Sequence, residues 1–207
     1  MNHELSAELD FINDLPFVVL DNLYTDEEVD LIFQESDYLI STNNLYEPEK
    51  VGVAMKQNKS LKKGKSVFLD SIYTDRNFSH ILNVNRKIFH PDLMDELEKK
   101  HMFFRYLKTA NRDSTLFSYF ETSDYYKPHH DNAVLSCISW FHKKPKGFTG
   151  GDLILEGEKT IKCKHNRTLL FPSIFQHEVT PVKMKPWKEG KGFGRYCFVQ
   201  FITLAPA

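Results

Sequence analysis

The chain has 207 residues and a formal net charge of -1, with 27 Lys and Arg against 28 Asp and Glu. One domain large enough to enclose a pocket is expected, and the charge balance gives no general attraction for nucleic acid or another polyanion. The three cysteines, Cys137, Cys163 and Cys197, are odd in number and lack C-x-x-C spacing, which argues against a disulfide framework or thiolate zinc site and fits a reducing cytoplasm.

No stretch reaches the roughly 20 apolar residues that span a bilayer. The N-terminal MNHELSAELDFINDLP carries acidic residues and lacks the apolar run of a secretory signal. A soluble cytoplasmic monomer with no membrane partner is expected.

Pro16 precedes a short apolar strand over residues 17–20. Thr25 with Glu28 then matches a capping box, opening a helix over residues 26–40 whose Val29, Ile32, Phe33 and Ile40 share one face. Residues 41–65 lose periodicity, and KQNKSLKKGK places Lys56, Lys59, Lys62, Lys63 and Lys65 in a polar loop, either a solvated surface or a substrate lid. Ile81, Val84 and Ile88 predict a second amphipathic helix, and Pro91 suits the first turn of a third.

Past residue 102 the pattern changes to short runs rich in β-branched and aromatic residues: TLFSYF, VLSCISWF, GGDLIL, TIKCK, RTLLF and RYCFVQFITL. Such runs, separated by Gly, Pro, Asn and Asp, predict a sandwich or jelly roll, with the earlier helices buttressing a sheet.

The chemistry concentrates in YYKPHHDNAVLSCISWF. His129 and Asp131, read at the start of a strand, point to one face, while His130 points to the other. His177 in FPSIFQHEVTPV is a second imidazole that a neighbouring strand of a rolled sheet brings to the same point. Two histidines and one carboxylate leave open positions on Fe(II), as an oxygenase requires, although zinc hydrolases also use such a set. Arg195 heads an apolar strand, where a guanidinium needs an anion. Its fork suits the C5 carboxylate of 2-oxoglutarate, or else an internal Asp or Glu. A hydrolase would need a general base, and Glu178 beside His177 faces the other way along a strand. The remaining histidines lack a partner at ligand spacing; His142 lies nearest a pocket rim.

LPFVVLDNLYTDEEVDLI, then HHDNA, GGDL, NRTLLFPSIFQHEVTPV and GRYCFVQF, follow one another in an order that resembles the 2-oxoglutarate/Fe(II)-dependent oxygenases of the prolyl 4-hydroxylase type over most of the chain. FHKKPKGFTGGDLIL is also similar to oxygenases of tailed phages. The resemblance implies an α+β fold with a double-stranded β-helix (jelly roll) core. One domain would fill residues 1–207, with helical support mainly in 1–102 and the core mainly in 103–207.

It further implies His129, Asp131 and His177 as metal ligands and catalytic centre, with Fe(II), 2-oxoglutarate and O2 as cofactors and cosubstrates. Arg195 would anchor 2-oxoglutarate, Tyr119 would line its pocket, and Trp140 would donate its indole N–H in place of a tyrosine. Two departures stand out: KMKPWKEGKGF lengthens the gap between His177 and Arg195 as a hairpin insertion, and Cys197 stands where many relatives have serine. The presence of Asp131 argues against halogenation. The implied reaction is hydroxylation of an unactivated C–H bond, with a prolyl residue of a peptide or protein as leading substrate. A free amino acid or other small molecule, or a catalytically silent jelly-roll metal-binding module, are the alternatives. Residues 41–65 and 143–148 are expected to border the pocket mouth.

Overall fold

A capping box does open the first helix: the Thr25 hydroxyl accepts from the Glu28 N–H while the Glu28 carboxylate accepts from the Thr25 N–H. In this computed structural model, which describes residues 4–204, helix α1 (Asp26–Ser41) buries Val29, Ile32 and Leu39. The short helices are α2 (Leu69–Ile72), α3 (His80–Val84), α4 (Pro91–Lys100) and α5 (Tyr106–Thr109). Pro91 starts α4 as expected, and the second amphipathic segment forms as α3 continued by a 3-10 turn over Asn85–Phe89. No helix among the described residues is long and apolar enough to cross a membrane.

The strands build two antiparallel sheets. β1 (Ser6–Ile12), β2 (Leu15–Asp21), β6 (Lys65–Phe68), β7 (Arg112–Phe120), β9 (Leu135–Phe141), β13 (Arg167–Pro172) and β16 (Arg195–Thr203) form the larger, in the order β1-β2-β13-β9-β16-β7-β6. β5 (Lys62–Lys63), β8 (Tyr125–His129), β11 (Leu153–Leu155), β12 (Lys159–Ile161) and β14 (His177–Val179) form the smaller, in the order β12-β11-β14-β8-β5. Two-residue ladders pair β3 (Met55–Lys56) with β4 (Lys59–Ser60), and β10 (Phe148–Thr149) with β15 (Lys183–Met184).

Alternation along the central strands divides the core in two, because successive side chains leave opposite faces of a sheet. Cys137 and Phe141 of β9, Phe117 and Tyr119 of β7, and Tyr196 and Phe198 of β16 pack toward the helices. Ile138 and Trp140, Phe120, and Cys197 with Val199 pack instead toward Leu153, Leu155 and Phe171. Every residue of β9 is therefore buried.

The N-terminal half is less purely helical than its sequence reads. It supplies β1, β2, β5 and β6 to the two sheets, and β1 turns into β2 through Asn13 and Asp14, both with positive φ, as a two-residue hairpin of primed type requires. The long stretch between His177 and Arg195 is a short ladder strand and a 3-10 turn, Pro186–Lys188, in place of a hairpin of its own; β16 begins at Arg195 itself.

One polar group in the helical layer has a defined task. Glu35 of α1 is buried, and its carboxylate accepts from the Ser79 hydroxyl at 2.7 Å and the Ile81 N–H at 2.8 Å, at the start of α3. Removing the acceptor strands both donors, which typically costs about 1–3 kcal/mol. Glu35→Ala is expected to lose that much in urea unfolding, and a change within a few tenths would show that water replaces the carboxylate.

Candidate active site

Strands β8 and β14 lie side by side with His177 opposite His129. His129 closes β8, so the H-x-D pair stands at the end of a strand and not at the start of one; Asp131 follows in the connection to β9. Its N–H donates to Ser173 O at 3.3 Å, and its Oδ2 accepts from the Ser136 hydroxyl at 2.6 Å. The three residues converge: His129 Nε2 is 3.7 Å from Asp131 Oδ1, His177 Nε2 is 3.4 Å from Asp131 Oδ2, and all three donor atoms lie within 4.8 Å of one another. His130 is exposed, with Nδ1 against Ile174 O.

Each ring is turned by its own backbone. His129 Nδ1 lies 2.9 Å from Lys127 O and His177 Nδ1 3.0 Å from Phe175 O, each a carbonyl two residues earlier. A carbonyl only accepts, so each Nδ1 carries hydrogen and each Nε2 is the ring nitrogen turned toward Asp131. Burial, and then the adjacent His177 ring, push the His129 imidazolium down to about 3, which keeps that ring neutral. The Tyr126 ring stacks on His129 at 3.5 Å between centroids. Two imidazoles and a carboxylate held from behind are a donor set that fits a divalent metal such as Fe(II).

The cavity in front of the triad has a volume of about 710 Å³ and is walled by both sheets. Leu116, Ser118 and Phe120 of β7 and Arg195, Cys197 and Val199 of β16 form one wall; His129, Leu153, His177 and Val179 form the other. Arg195 is only 1% exposed. Its Nε donates to Gly151 O at 2.9 Å and its Nη1 to Cys197 Sγ at 3.1 Å, while the guanidinium packs over the Phe120 and Trp140 rings. No Asp or Glu among the described residues pairs with it. Gly151 explains the GGDL signal: a Cβ there would stand 2.7 Å from Arg195 Cδ, at a φ of +68° that favours glycine.

One expectation about a side chain is corrected. Tyr119 does not line the cavity: the register Arg195↔Phe120 puts the even residues of β7 on the cavity face, so Tyr119 points toward the helices. There its hydroxyl donates to Glu121 and accepts from the Gly194 N–H. Trp140 lies on the cavity side of β9 against the Arg195 guanidinium, fully buried, and its Nε1–H has no partner among the described residues.

The mouth is also partly redrawn. Val51 to Ala54 and Lys62 reach the cavity wall, whereas none of residues 143–148 does. Lys143 instead pairs with Asp37 at 2.7 Å, Phe148 enters the inter-sheet core, and His142 packs on Phe148 and His165 away from the rim.

Lys62 is the residue of the lysine-rich loop that its sequence does not single out from its neighbours as a cavity residue. It is 4% exposed, and its Nζ donates to the hydroxyls of Ser66 and, at 2.8 Å, Ser118. Burial pulls its pKa from 10.5 to about 8, against smaller opposing pulls from Cys197, Asp124 and Asp131. The unfolded chain therefore keeps this proton to higher pH than the folded one, and stability due to Lys62 rises with pH from about 8 to about 10. Urea unfolding of wild type and Lys62→Met at pH 7.5 and 9.5 is expected to show wild type gaining on the variant at the higher pH; a pH-independent difference would refute this.

Comparison with known proteins agrees with this geometry. Residues 114–203 match the profile of the 2OG-Fe(II) oxygenase superfamily. A PKHD-type hydroxylase of Gloeothece citriformis is 33% identical over 99 residues, 42% of this chain and 45% of that protein; one of Crocosphaera subtropica is 27% identical over 103 residues, 44% and 46%. The chain thus spans a little under half the length of the curated relatives it matches.

By structure, a prolyl-4-hydroxylase of Pseudomonas putida superposes with a TM-score of 0.61 at 12% identity over 93% of this chain and 95% of that one. The viral collagen prolyl hydroxylase of Paramecium bursaria Chlorella virus-1, in its 2OG complex, gives 0.52 at 13% over 90% and 94%. At such identities the likeness is one of fold. Residues 114–203 are thus similar to the 2OG-Fe(II) oxygenase superfamily, and a likeness of fold to prolyl 4-hydroxylases extends over most of the chain.

Proposed function

We propose that this chain is an Fe(II)- and 2-oxoglutarate-dependent dioxygenase that hydroxylates an unactivated C–H bond, with a prolyl residue of a peptide or protein as its substrate. The observation that carries the reading is Arg195, a buried guanidinium without a carboxylate partner among the described residues, on the same cavity as the His129, Asp131 and His177 triad. A cation held there by Gly151 O and Cys197 calls for an anion from outside. The double-stranded β-helix reading of the two facing sheets, with residues 1–207 as one domain in a reducing cytoplasm, belongs to the same proposal.

With iron bound, the chemistry it supplies is decarboxylation of 2-oxoglutarate by O2 to succinate and CO2, coupled to insertion of one oxygen atom into a C–H bond. The protein's share is placement. His129 and His177 offer Nε2 lone pairs fixed by their Nδ1 contacts, and Ser136 holds Asp131 by its Oδ2. Arg195 receives the far carboxylate of the cosubstrate, with Trp140 packed behind the guanidinium. Leu116, Ile138, Leu153 and Val199 keep water from the space between.

The cavity runs on to the exposed residues Gly52, Arg112 and Leu204. This extended outer end favours a peptide over a free amino acid. Among the described residues the other carboxylate on the cavity wall, Asp113, is held by Arg76, Arg86 and Gln200, which leaves none of them as a general base beside the triad for a metal hydrolase.

Anaerobic protein given Fe(II), 2-oxoglutarate and proline-containing peptides is expected, on admission of air, to form succinate and to add one oxygen atom to a peptide, both read by mass spectrometry. Succinate without a peptide shift would move the substrate to a free amino acid or small molecule; no succinate would contradict the proposal. Arg195→Met is expected to raise the KM for 2-oxoglutarate about ten- to a hundred-fold, the loss of a charge-assisted pair of roughly 1.5–3 kcal/mol.

A further inference from the structure

Lys62 enters the cavity because the chain changes sheets just after it. β5 pairs Lys62 with Tyr126 at the edge of the smaller sheet, and at Gly64 the chain turns into β6 of the larger. Gly64 has φ +129°, and a Cβ there would lie 3.0 Å from the Phe120 ring. The Lys62 side chain is thereby directed inward between the Phe120 and Tyr126 rings, at 5.2 and 5.5 Å from their centroids.

An ammonium has three N–H donors. Ser66 and Ser118 accept two, and no protein acceptor takes the third among the described residues. Neither nearby carboxylate is available: Asp131 belongs to the triad, and Asp124 accepts from the Glu121 N–H and pairs with Lys63.

The position of this ammonium relative to Arg195 is set by register. Cys197, which accepts from Arg195, is the cross-strand partner of Ser118, which accepts from Lys62. Leu116 and Ser114 continue the row toward exposed Arg112, so Lys62 stands at the deep end of the cavity, one step from Arg195 and away from the mouth. Arg195 itself is an incomplete fork, since Nε is committed to Gly151 O and one Nη1 hydrogen to Cys197.

We propose that Lys62 and Arg195 together form a two-cation receptor for the far carboxylate of the 2-oxo acid, with Lys62 selecting a dicarboxylate over a monocarboxylate. The inference rests on the cosubstrate reading above. A carboxylate has about four lone-pair sites on two oxygens; the free guanidinium N–H groups fill one side and the third Lys62 N–H another. Lys62 is then a binding residue for the cosubstrate, and its two serines are positioning residues.

The test uses full-length protein loaded anaerobically with Mn(II), titrated calorimetrically with 2-oxoglutarate and with 2-oxobutyrate, which keeps the 2-oxo acid head and ends in a methyl group. Lys62→Met is expected to weaken 2-oxoglutarate about ten-fold or more and to leave 2-oxobutyrate within about two-fold. Should that variant fail to fold, Lys62→Gln, which keeps polar contact with Ser66 and Ser118, gives the same reading. Unchanged 2-oxoglutarate affinity, or equal weakening of both acids, would overturn the assignment of Lys62 alone. A wild-type protein that binds neither acid would overturn the cosubstrate reading, and this inference with it.

Discussion

The pairing of β8 with β14 is the constraint from which the site follows. It sets His129 and His177 across from each other on adjacent strands, and in each case the carbonyl two residues earlier turns the ring so that Nε2 faces inward. Rotating either ring to expose Nδ1 would strand a buried N–H, at a cost of about 1–3 kcal/mol. The two Nε2 atoms are thus aimed by backbone geometry before any metal arrives, and Asp131 is aimed by Ser136. This preorganisation limits how much of the binding energy of a metal is spent on ordering its ligands.

A second property separates this cavity from an ordinary polar pocket: two of its cations are buried without a carboxylate hydrogen-bonded to them among the described residues. Arg195 and Lys62 approach the same space from different sheets, and their hydrogen bonds go to neutral groups: Gly151 O, Cys197, Ser66 and Ser118. Neutral partners reduce the desolvation cost of a charge without cancelling the charge. The fold therefore tolerates a local excess of positive potential that a dicarboxylate would relieve, and binding and stability are linked through it.

Much of this was legible in the residues. Thr25 and Glu28 marked the helix start, Pro91 marked α4, and H-x-D with a later histidine and a strand-heading arginine marked the triad and the cation. What failed was phase. TLFSYF is apolar on both faces, so alternation could not say whether Tyr119 or its neighbours met the cavity, and a one-residue change of register reverses the answer. The pairing of Arg195 with Phe120 decided it.

Lys62 was hidden for a different reason. In a run of five lysines only the sheet change at Gly64 singles out the one that turns inward. The partly exposed strand β1 lacked the apolar run that marks the central strands, and its Asn13–Asp14 turn is a weaker hairpin signal than Asn-Gly.

The central claim is that three side chains from β8, its following connection and β14 hold one ion between them. Equilibrium dialysis of anaerobic protein against Mn(II), for wild type and His177→Ala, tests it most directly. One ion per chain in the wild type, with affinity lowered at least a hundred-fold in the variant, is the predicted result; equal binding by both proteins would contradict it.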